Sequence, residues 1–344
     1  MKFAPLFLLL FSIPGLAQTG GRSPFAFTQN APNAAISSMG GIGIGLPSSD
    51  PASAFQNPAL INKSMVGKLS LSHQNFLSDA GISHVSSAFS IKKQWFSVHL
   101  HAFQAGDFET TDITGNPTGT FTGNETAAQL GWKKMLSNRW SGGIGLRYLG
   151  ASYGFYHYAG LSAQLGFFYN DTAKNTTFAI LLDQPGIMLS KAGNVRESIP
   201  ANLQMAYSKK LEHLPLRFQV GVQHLNRWNI RYYDPADPYY NPITQTLGST
   251  EPEPVKNYTF DKIFRHFTFG AELNLSKNLQ ARMGYNALRR GELTLPTKGG
   301  FTGFSFGFSL KTKRFEFSLA RVPFALAGKT TQFSLLLDPT VWFK

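Results

Sequence analysis

Apolar and polar residues alternate along most of the chain after Val66. In one such run, Phe304, Phe306 and Phe308 are separated by single small or polar residues. Successive side chains of a β-strand point to opposite faces, so a period of two predicts strands with one apolar face. One face is mainly Phe, Leu and Val, and the other is mainly Gly, Ser, Gln, His and Arg.

Similar runs predict about fourteen strands, most of them about ten residues long. A tilted strand of that length crosses a bilayer, and single-chain outer-membrane barrels have an even number of strands. Because lipid offers no hydrogen-bond partners, a sheet in the membrane must close on itself. The predicted strands begin near Val66, Ile82, Trp95, Thr122, Arg139, His157, Thr176, Ile199, Leu216, Lys262, Asn278, Thr302, Arg314 and Thr331.

The predicted connections alternate in length, which is typical of outer-membrane barrels. Short polar turns such as Ser276-Lys277 follow the even-numbered strands. A soluble lectin-like sandwich, the alternative, would not need this alternation and would need a polar outer face. We therefore predict an all-β fold, a transmembrane antiparallel β-barrel of about 14 strands. The longer links follow odd-numbered strands and span 106–121, 184–198, 227–261 and 289–300.

The N-terminal region contains two segments whose residue composition differs from that of the predicted strands. Residues 1–17 combine Lys2, an apolar run and small residues at the cleavage positions, which is typical of an export signal; a buried helix is the alternative. Residues 38–61 are too rich in Gly, Pro and Ser for a regular helix or a paired strand. We predict a signal peptide at 1–17, an N-terminal plug segment at 18–65 and a transmembrane β-barrel at 66–344.

Composition and charge agree with an envelope protein. The chain has no cysteine, which rules out disulfides and thiolate metal sites, and its formal net charge is +13. The basic residues are scattered in short turns and form no nucleic-acid motif, so nucleic acid is not expected as a partner. Outer-membrane lipid or lipopolysaccharide fits this charge better. We expect a multi-pass β-barrel in the outer membrane of a Gram-negative cell.

The polar face of the strands holds the candidate chemistry. His99 and His101 have a spacing that metal sites use, but their strand offers no third ligand, so we predict polar lumen lining and no metal. The chain has no G-x-S-x-G motif and no assignable Ser, His and acid set, so no catalytic residue or cofactor is expected. A barrel phospholipase with its site between strands is the enzymatic alternative. The inferred lumen-facing polar residues are His99, His101, Arg147, Gln164, Gln219, Glu272, Arg282 and Glu316.

The longest predicted loop, 227–261, is rich in residues that dominate protein interfaces. The pairs Asp234-Pro235, Asp237-Pro238 and Asn241-Pro242 stiffen this loop. It could dock a partner, cover the barrel mouth, or do both. The candidate partner-binding residues are Arg227, Trp228, Arg231, Tyr232, Tyr233, Tyr239 and Tyr240.

Four short motifs carry a resemblance to a known family. Gly20-Gly21-Arg22-Ser23, Met39-Gly40-Gly41, Asp50 and Asn57-Pro58-Ala59-Leu60 precede the strands in this order. This order resembles the FadL-like and PorV-like barrels of the Bacteroidetes envelope, and it is most similar to the PorQ family of type IX secretion. The plug residues that these motifs supply are Gly40, Gly41, Asp50, Asn57, Pro58 and Ala59.

The resemblance implies a non-enzymatic role at the cell surface. Proteins of the PorQ family anchor a soluble surface partner, PorZ, within the type IX attachment complex, which links secreted cargo to anionic lipopolysaccharide. We therefore expect a PorZ-like protein and other components of that complex as partners. The alternative is a FadL-like outer-membrane transporter of hydrophobic small molecules. The sequence does not decide between the two.

Overall fold

The computed structural model describes residues 25–76, 79–190, 199–230, 259–293, 300–324 and 328–339. Each strand in these ranges pairs antiparallel with its neighbours in sequence, and the first strand also pairs with the last. The sheet is therefore a closed barrel of fourteen strands. They are β1 Leu69–Asn75, β2 Gly81–Ile91, β3 Gln94–Thr111, β4 Pro117–Met135, β5 Trp140–Tyr153, β6 Tyr156–Asp171, β7 Thr176–Met188, β8 Asn202–Lys210, β9 Leu216–Val222, β10 Phe267–Asn274, β11 Leu279–Asn286, β12 Phe304–Lys311, β13 Phe315–Phe324 and β14 Gly328–Leu337.

Short helices lie in the N-terminal segment before β1 and in two of the long connections between strands. None of the helices in the described ranges has the length and apolar character that a membrane span requires. The α-helices are α1 Ala34–Ser37, α2 Ser53–Gln56, α3 Thr259–Phe264 and α4 Ala287–Leu293, and the 3-10 turns are Ala26–Gln29, Pro58–Leu60 and Lys63–Met65.

The predicted barrel of about 14 strands is confirmed, and every predicted strand start lies within about five residues of the observed one. Two starts are wrong for a local reason. Lys262 lies in α3, so the tenth strand begins only at Phe267. At Val66 a 3-10 turn has just ended, and Gly67 turns the chain with a φ of 80° before β1 begins at Leu69.

The two faces of the wall follow the predicted alternation. Phe306 on β12 is 39% exposed on the outer surface, whereas its neighbour Ser305 is completely buried inside. On β3, Val98 and Leu100 face outward and His99 faces inward. The apolar side chains therefore face outward, where a membrane barrel contacts lipid.

The β3–β4 connection is the largest departure from the predicted loops. Residues 106–121, predicted as a loop, mostly continue both strands, and the turn is confined to the positions between Thr111 and Pro117. Pairing with β2 ends at Gln104 and pairing with β5 ends at Gly123, so the tip of the hairpin pairs only with itself. Alternating threonines and stacked rings of Phe108 and Phe121, 5.2 Å apart, favour extended chain here.

Candidate functional site

The described part of the N-terminal segment, residues 25–65, lies inside the barrel. Its backbone accepts hydrogen bonds from inward side chains on β5, β7, β11, β12 and β14. Because these strands lie around a closed ring, the segment must occupy the lumen; whether it limits permeability stays a prediction. The bonds, 2.7 to 3.1 Å long, run from Ser141 to Ala59, from Thr177 to Gly45, from Asn286 to Gly40, from Ser305 to Ser38 and from Gln332 to Ala31.

Two inward-facing glycines allow the segment to touch the wall. A Cβ added to Gly143 on β5 would come within 2.7 Å of the Ala59 Cα and closer still to the Ala59 nitrogen. A Cβ added to Gly284 on β11 would collide in the same way with the backbone of Gly40. Real Cβ atoms essentially never come within 3.0 Å of another heavy atom. A larger residue at either position must therefore displace the segment.

The Gly40-Gly41 pair turns the segment beneath the long-loop end of the barrel. Both residues have left-handed φ angles, 91° and 90°, which glycine adopts without strain. Asn286 Nδ2 donates to the Gly40 carbonyl at 3.1 Å. Arg289, on α4 just beyond β11, places Nη2 3.3 Å from the position that a Gly41 Cβ would occupy. Burial lowers the pKa of Arg289 to about 10, so it is still charged at neutral pH.

Asp50 and Asn57 brace the next two turns of the segment. Asp50 accepts hydrogen bonds from the Asn33 side chain at 2.7 Å and from the backbone N–H of Ala52 at 2.8 Å. The Asn57 side chain accepts from the Ala59 N–H at 3.0 Å and donates to the Ile44 carbonyl at 2.9 Å. Pro58 begins the 3-10 turn, where its missing N–H costs nothing. The motif residues therefore set the shape of the segment.

A cluster of buried polar side chains holds the carbonyl of Phe55. Arg147 Nη2, Gln164 Nε2 and Gln129 Nε2 donate to that oxygen at 3.2, 3.1 and 3.3 Å. Asp183 accepts from Gln164 at 2.7 Å and lies 3.6 Å from Arg147 Nη1. The Arg147 guanidinium also lies 4.4 Å from the centroid of the Phe55 ring. This cluster, here called the Phe55 clamp, pairs the buried charge of Arg147 with Asp183 and fixes α2 against β4–β7.

Three histidines also lie close to the ring of Phe55. The rings of His84, His99 and His101 lie 5.0, 5.8 and 4.9 Å from it, centroid to centroid. His84 and His101 also approach each other, with 3.1 Å between their Nδ1 atoms. Within the described ranges, no group of three or more His, Cys, Asp or Glu side chains could hold a metal ion. These contacts make the histidines packing partners of the N-terminal segment.

The structure places the remaining predicted lumen residues on the inner wall as well, but not in one site. Glu272 and Arg282 pair at 2.8 Å near the short-turn end, and Glu316 lies 3.8 Å from Lys311. Gln219 donates to the carbonyl of Ile42. Sequence reasoning missed three members of the central cluster, although the alternation on β2, β4 and β7 could have indicated their inward direction. They are His84, Gln129 and Asp183.

The centre of the lumen is almost filled. The cavity between the N-terminal segment, the Phe55 clamp and β8 has a volume of about 30 Å³, room for about one water molecule. Its lining combines Gln56, Gln164, Asp183 and Asn202 with a few apolar side chains. This cavity is too small for a small hydrocarbon.

The predicted partner loop is described only at its two ends, residues 227–230 and 259–261. Trp228 is 64% exposed, and Arg227 follows a turn closed by its N–H bond to the His224 carbonyl at 2.9 Å. The other candidate residues, Arg231, Tyr232, Tyr233, Tyr239 and Tyr240, lie outside the described residues. Their role stays a prediction.

The barrel resembles solved structures, whereas no protein-family model and no curated protein matches the sequence. The toluene transporter TbuX of Ralstonia pickettii superposes with a TM-score of 0.52 at 13% identity, over 90% of this chain and 98% of that chain. The monoaromatic hydrocarbon channel CymD superposes with a TM-score of 0.51 at 13% identity, over 91% of this chain and 98% of that chain. The toluene transporter TodX of Pseudomonas putida superposes with a TM-score of 0.50 at 12% identity, over 89% of this chain and 96% of that chain.

These likenesses show the fold. The chain is a closed, FadL-like antiparallel barrel of fourteen strands, with apolar side chains on its outer face. Both features belong to proteins that cross the bacterial outer membrane as barrels. The expected location in the outer membrane is thereby confirmed.

Proposed function

We propose that this protein is a non-enzymatic anchor in the outer membrane. In this proposal the barrel is held closed by its own N-terminal segment and retains a soluble partner at the cell surface as a component of type IX secretion. The observation that carries the proposal is the packed centre of the lumen, where the cavity beside the Phe55 clamp has a volume of about 30 Å³. The larger cavity in the lumen, about 450 Å³, lies between the segment and the wall at the short-turn side and is lined mainly by polar residues such as Asp50, Glu272 and Arg282. An anchor needs a rigid closed barrel and an outer surface, and it needs no path through the lumen.

The sequence motifs add support of a second kind. The segments that resemble the PorQ family, Met39-Gly40-Gly41 and Asn57-Pro58-Ala59, are the points at which the segment touches Gly284 and Gly143. By that resemblance, the surface partner is PorZ-like, and the complex attaches secreted cargo to anionic lipopolysaccharide. The long-loop side of an outer-membrane barrel faces outward, so the partner docks there.

The docking proposal assigns the contact to the loop that begins at Arg227 and Trp228. Aromatic and arginine side chains dominate interface energies, and the prolines of this loop reduce the entropy lost on binding. Replacing Tyr232, Tyr233, Tyr239 and Tyr240 together by Ala should release the partner into the medium while the barrel stays assembled.

To test this proposal, wild type and the tyrosine variant are each purified from outer membranes, and the proteins that co-purify with them are identified and compared. A matched control replaces Phe155 and Tyr156, exposed aromatics of the β5–β6 turn on the same side, by Ala. Heat-modifiability gels establish that each barrel is folded. If the tyrosine variant retains the partner as wild type does, the loop is a cover and the docking surface lies elsewhere.

A second candidate function is uptake of hydrophobic small molecules. The solved structures favour it over the anchor, because the similar barrels are toluene transporters and a monoaromatic hydrocarbon channel. Uptake through this barrel would require the Phe55 clamp to open or a lateral exit through the wall. Accumulation of radiolabelled toluene in cells with and without the protein separates the two: equal accumulation favours the anchor, and protein-dependent accumulation favours transport.

A further inference from the structure

An open cleft lies at the short-turn end of the barrel, at the opposite mouth from the predicted partner loop. It is bounded by the β10–β11 turn, the β12–β13 turn, the start of β1 and the end of β14. Its volume is about 410 Å³, within the range of clefts that hold small ligands. Short turns of outer-membrane barrels face the periplasm, so the cleft opens to that compartment.

The cleft is strongly basic. Five cationic side chains line it, against the two carboxylates Glu316 and Asp338. Each carboxylate has one lysine nearby, at 3.8 Å and 3.9 Å. The cations are Lys68, Lys277, Lys311, Lys313 and Arg314.

Within the described residues, three of these cations lack a carboxylate partner. Lys68 pairs with Asp338 and Lys311 with Glu316, but no carboxylate of the described residues lies within ion-pair distance of the other three, Lys277, Lys313 and Arg314. All three are exposed to solvent. Like charges gathered at one concave site repel one another, and an anion bound among them relieves that repulsion.

The backbone that carries the three cations is fixed in place. In the β10–β11 turn, Ser276 Oγ accepts from the N–H groups of Asn278 at 3.2 Å and Leu279 at 3.0 Å. The N–H of Lys311 donates to the Asn278 carbonyl at 2.7 Å and joins this turn to the next. The Arg314 carbonyl accepts from the N–H of Asp338 at 3.0 Å. A site built on a braced backbone loses little freedom when it binds a ligand.

We propose that this cleft binds an anionic ligand through its phosphate groups. Lysine ammonium groups and the forked arginine guanidinium are the side chains that recognise phosphate. The same chemistry is offered by a free phosphate compound of the periplasm and by the headgroup of an anionic phospholipid. Phe315 lies at the rim and is 40% exposed on the outer wall, where acyl chains would meet it. The proposal does not depend on the function of the long-loop side.

The test uses the purified full-length protein and two phosphate sources. Calorimetry in neutral detergent measures binding of pyrophosphate, and native mass spectrometry after reconstitution measures retention of phosphatidylglycerol against phosphatidylcholine. The test variant is Lys277→Gln, Lys313→Gln and Arg314→Gln together. The matched control is Lys92→Gln, Lys93→Gln and Lys174→Gln, which removes three exposed charges from other turns on the same side.

Binding to the test variant should be weaker by about tenfold or more, equivalent to about 1.4 kcal/mol, whereas the control should bind as wild type does. Added salt should weaken wild-type binding, because exposed charges are screened. Pyrophosphate binding alone identifies a free ligand, and selective phosphatidylglycerol retention identifies the lipid. The proposal is overturned if wild type binds neither, or if the test and control variants bind equally while both remain heat-modifiable barrels.

Discussion

Replacing Gly143 by alanine should loosen the N-terminal segment without dismantling the barrel. The added Cβ would come within 2.7 Å of the Ala59 Cα, where an ordinary contact begins at 3.4 Å. The opposing atoms are backbone, so no side chain can rotate away. The turn at Pro58 and Ala59 must therefore move by about 1 Å, since the Ala59 nitrogen lies closer still.

That movement lowers the free energy with which the N-terminal segment packs against the wall. Overpacking by one carbon in a well-packed interior costs about 1–3 kcal/mol. A shift of this size also stretches the bond from Ser141 Oγ to the Ala59 carbonyl, now 3.0 Å, beyond hydrogen-bonding distance, for about 1 kcal/mol more. The fourteen-strand ladder does not depend on this turn, so the free energy is lost from the packing of the segment.

The neighbouring residue provides the control. A Cβ at Gly142 would meet only the flexible Leu136 side chain, at 3.4 Å. Limited proteolysis of purified protein should cut within 25–65 faster in Gly143→Ala than in Gly142→Ala or wild type. Both variants should keep the heat-modifiable mobility of a folded barrel. Equal protection of the segment in both variants would refute the placement of the Asn57-Pro58-Ala59 turn against β5.

Three further predictions test other parts of the account. Arg147→Met should lower the free energy of unfolding by about 3–5 kcal/mol in urea titrations in detergent, because Asp183 loses its buried partner; no loss would mean that the Phe55 clamp contributes nothing. Phe306→Arg should make the free energy of insertion into vesicles less favourable by about 2–4 kcal/mol, because the charge would face lipid. Insertion as favourable as that of wild type would show that this face does not contact lipid. Deleting residues 40–59 should give a barrel that leaks small solutes in liposome swelling; an intact but tight barrel would assign closure to another segment.

The wall of the barrel was predictable from the sequence because each strand carries its own signal. The alternation around Phe306 reflects lipid on one side and polar chain on the other, and both are local properties of the strand. The strand ends were less predictable. The extension of β3 and β4 beyond their neighbours depends on pairing across the hairpin, where Phe108 stacks on Phe121.

The interior was less accessible to sequence reasoning, because its contacts join positions far apart in the chain. Arg147 was predicted to face the lumen, but its partners Phe55 and Asp183 follow only from the folded arrangement. The alternation along β5 places Gly143 on the inner face with Ser141, but its contact with the backbone of Ala59 follows only from the folded arrangement. The alternation along β2 does place His84 inward, but its contact with the ring of Phe55 requires the segment to be in position.

The distribution of the surface partner between cells and medium tests the anchor function most directly. The measurement compares cells that lack this protein with cells that carry it again, with antibody against the PorZ-like partner and against secreted cargo. Both proteins should be in the medium when the barrel is absent and on the cell surface when it is restored. Retention of both on cells that lack the barrel would contradict the anchor function.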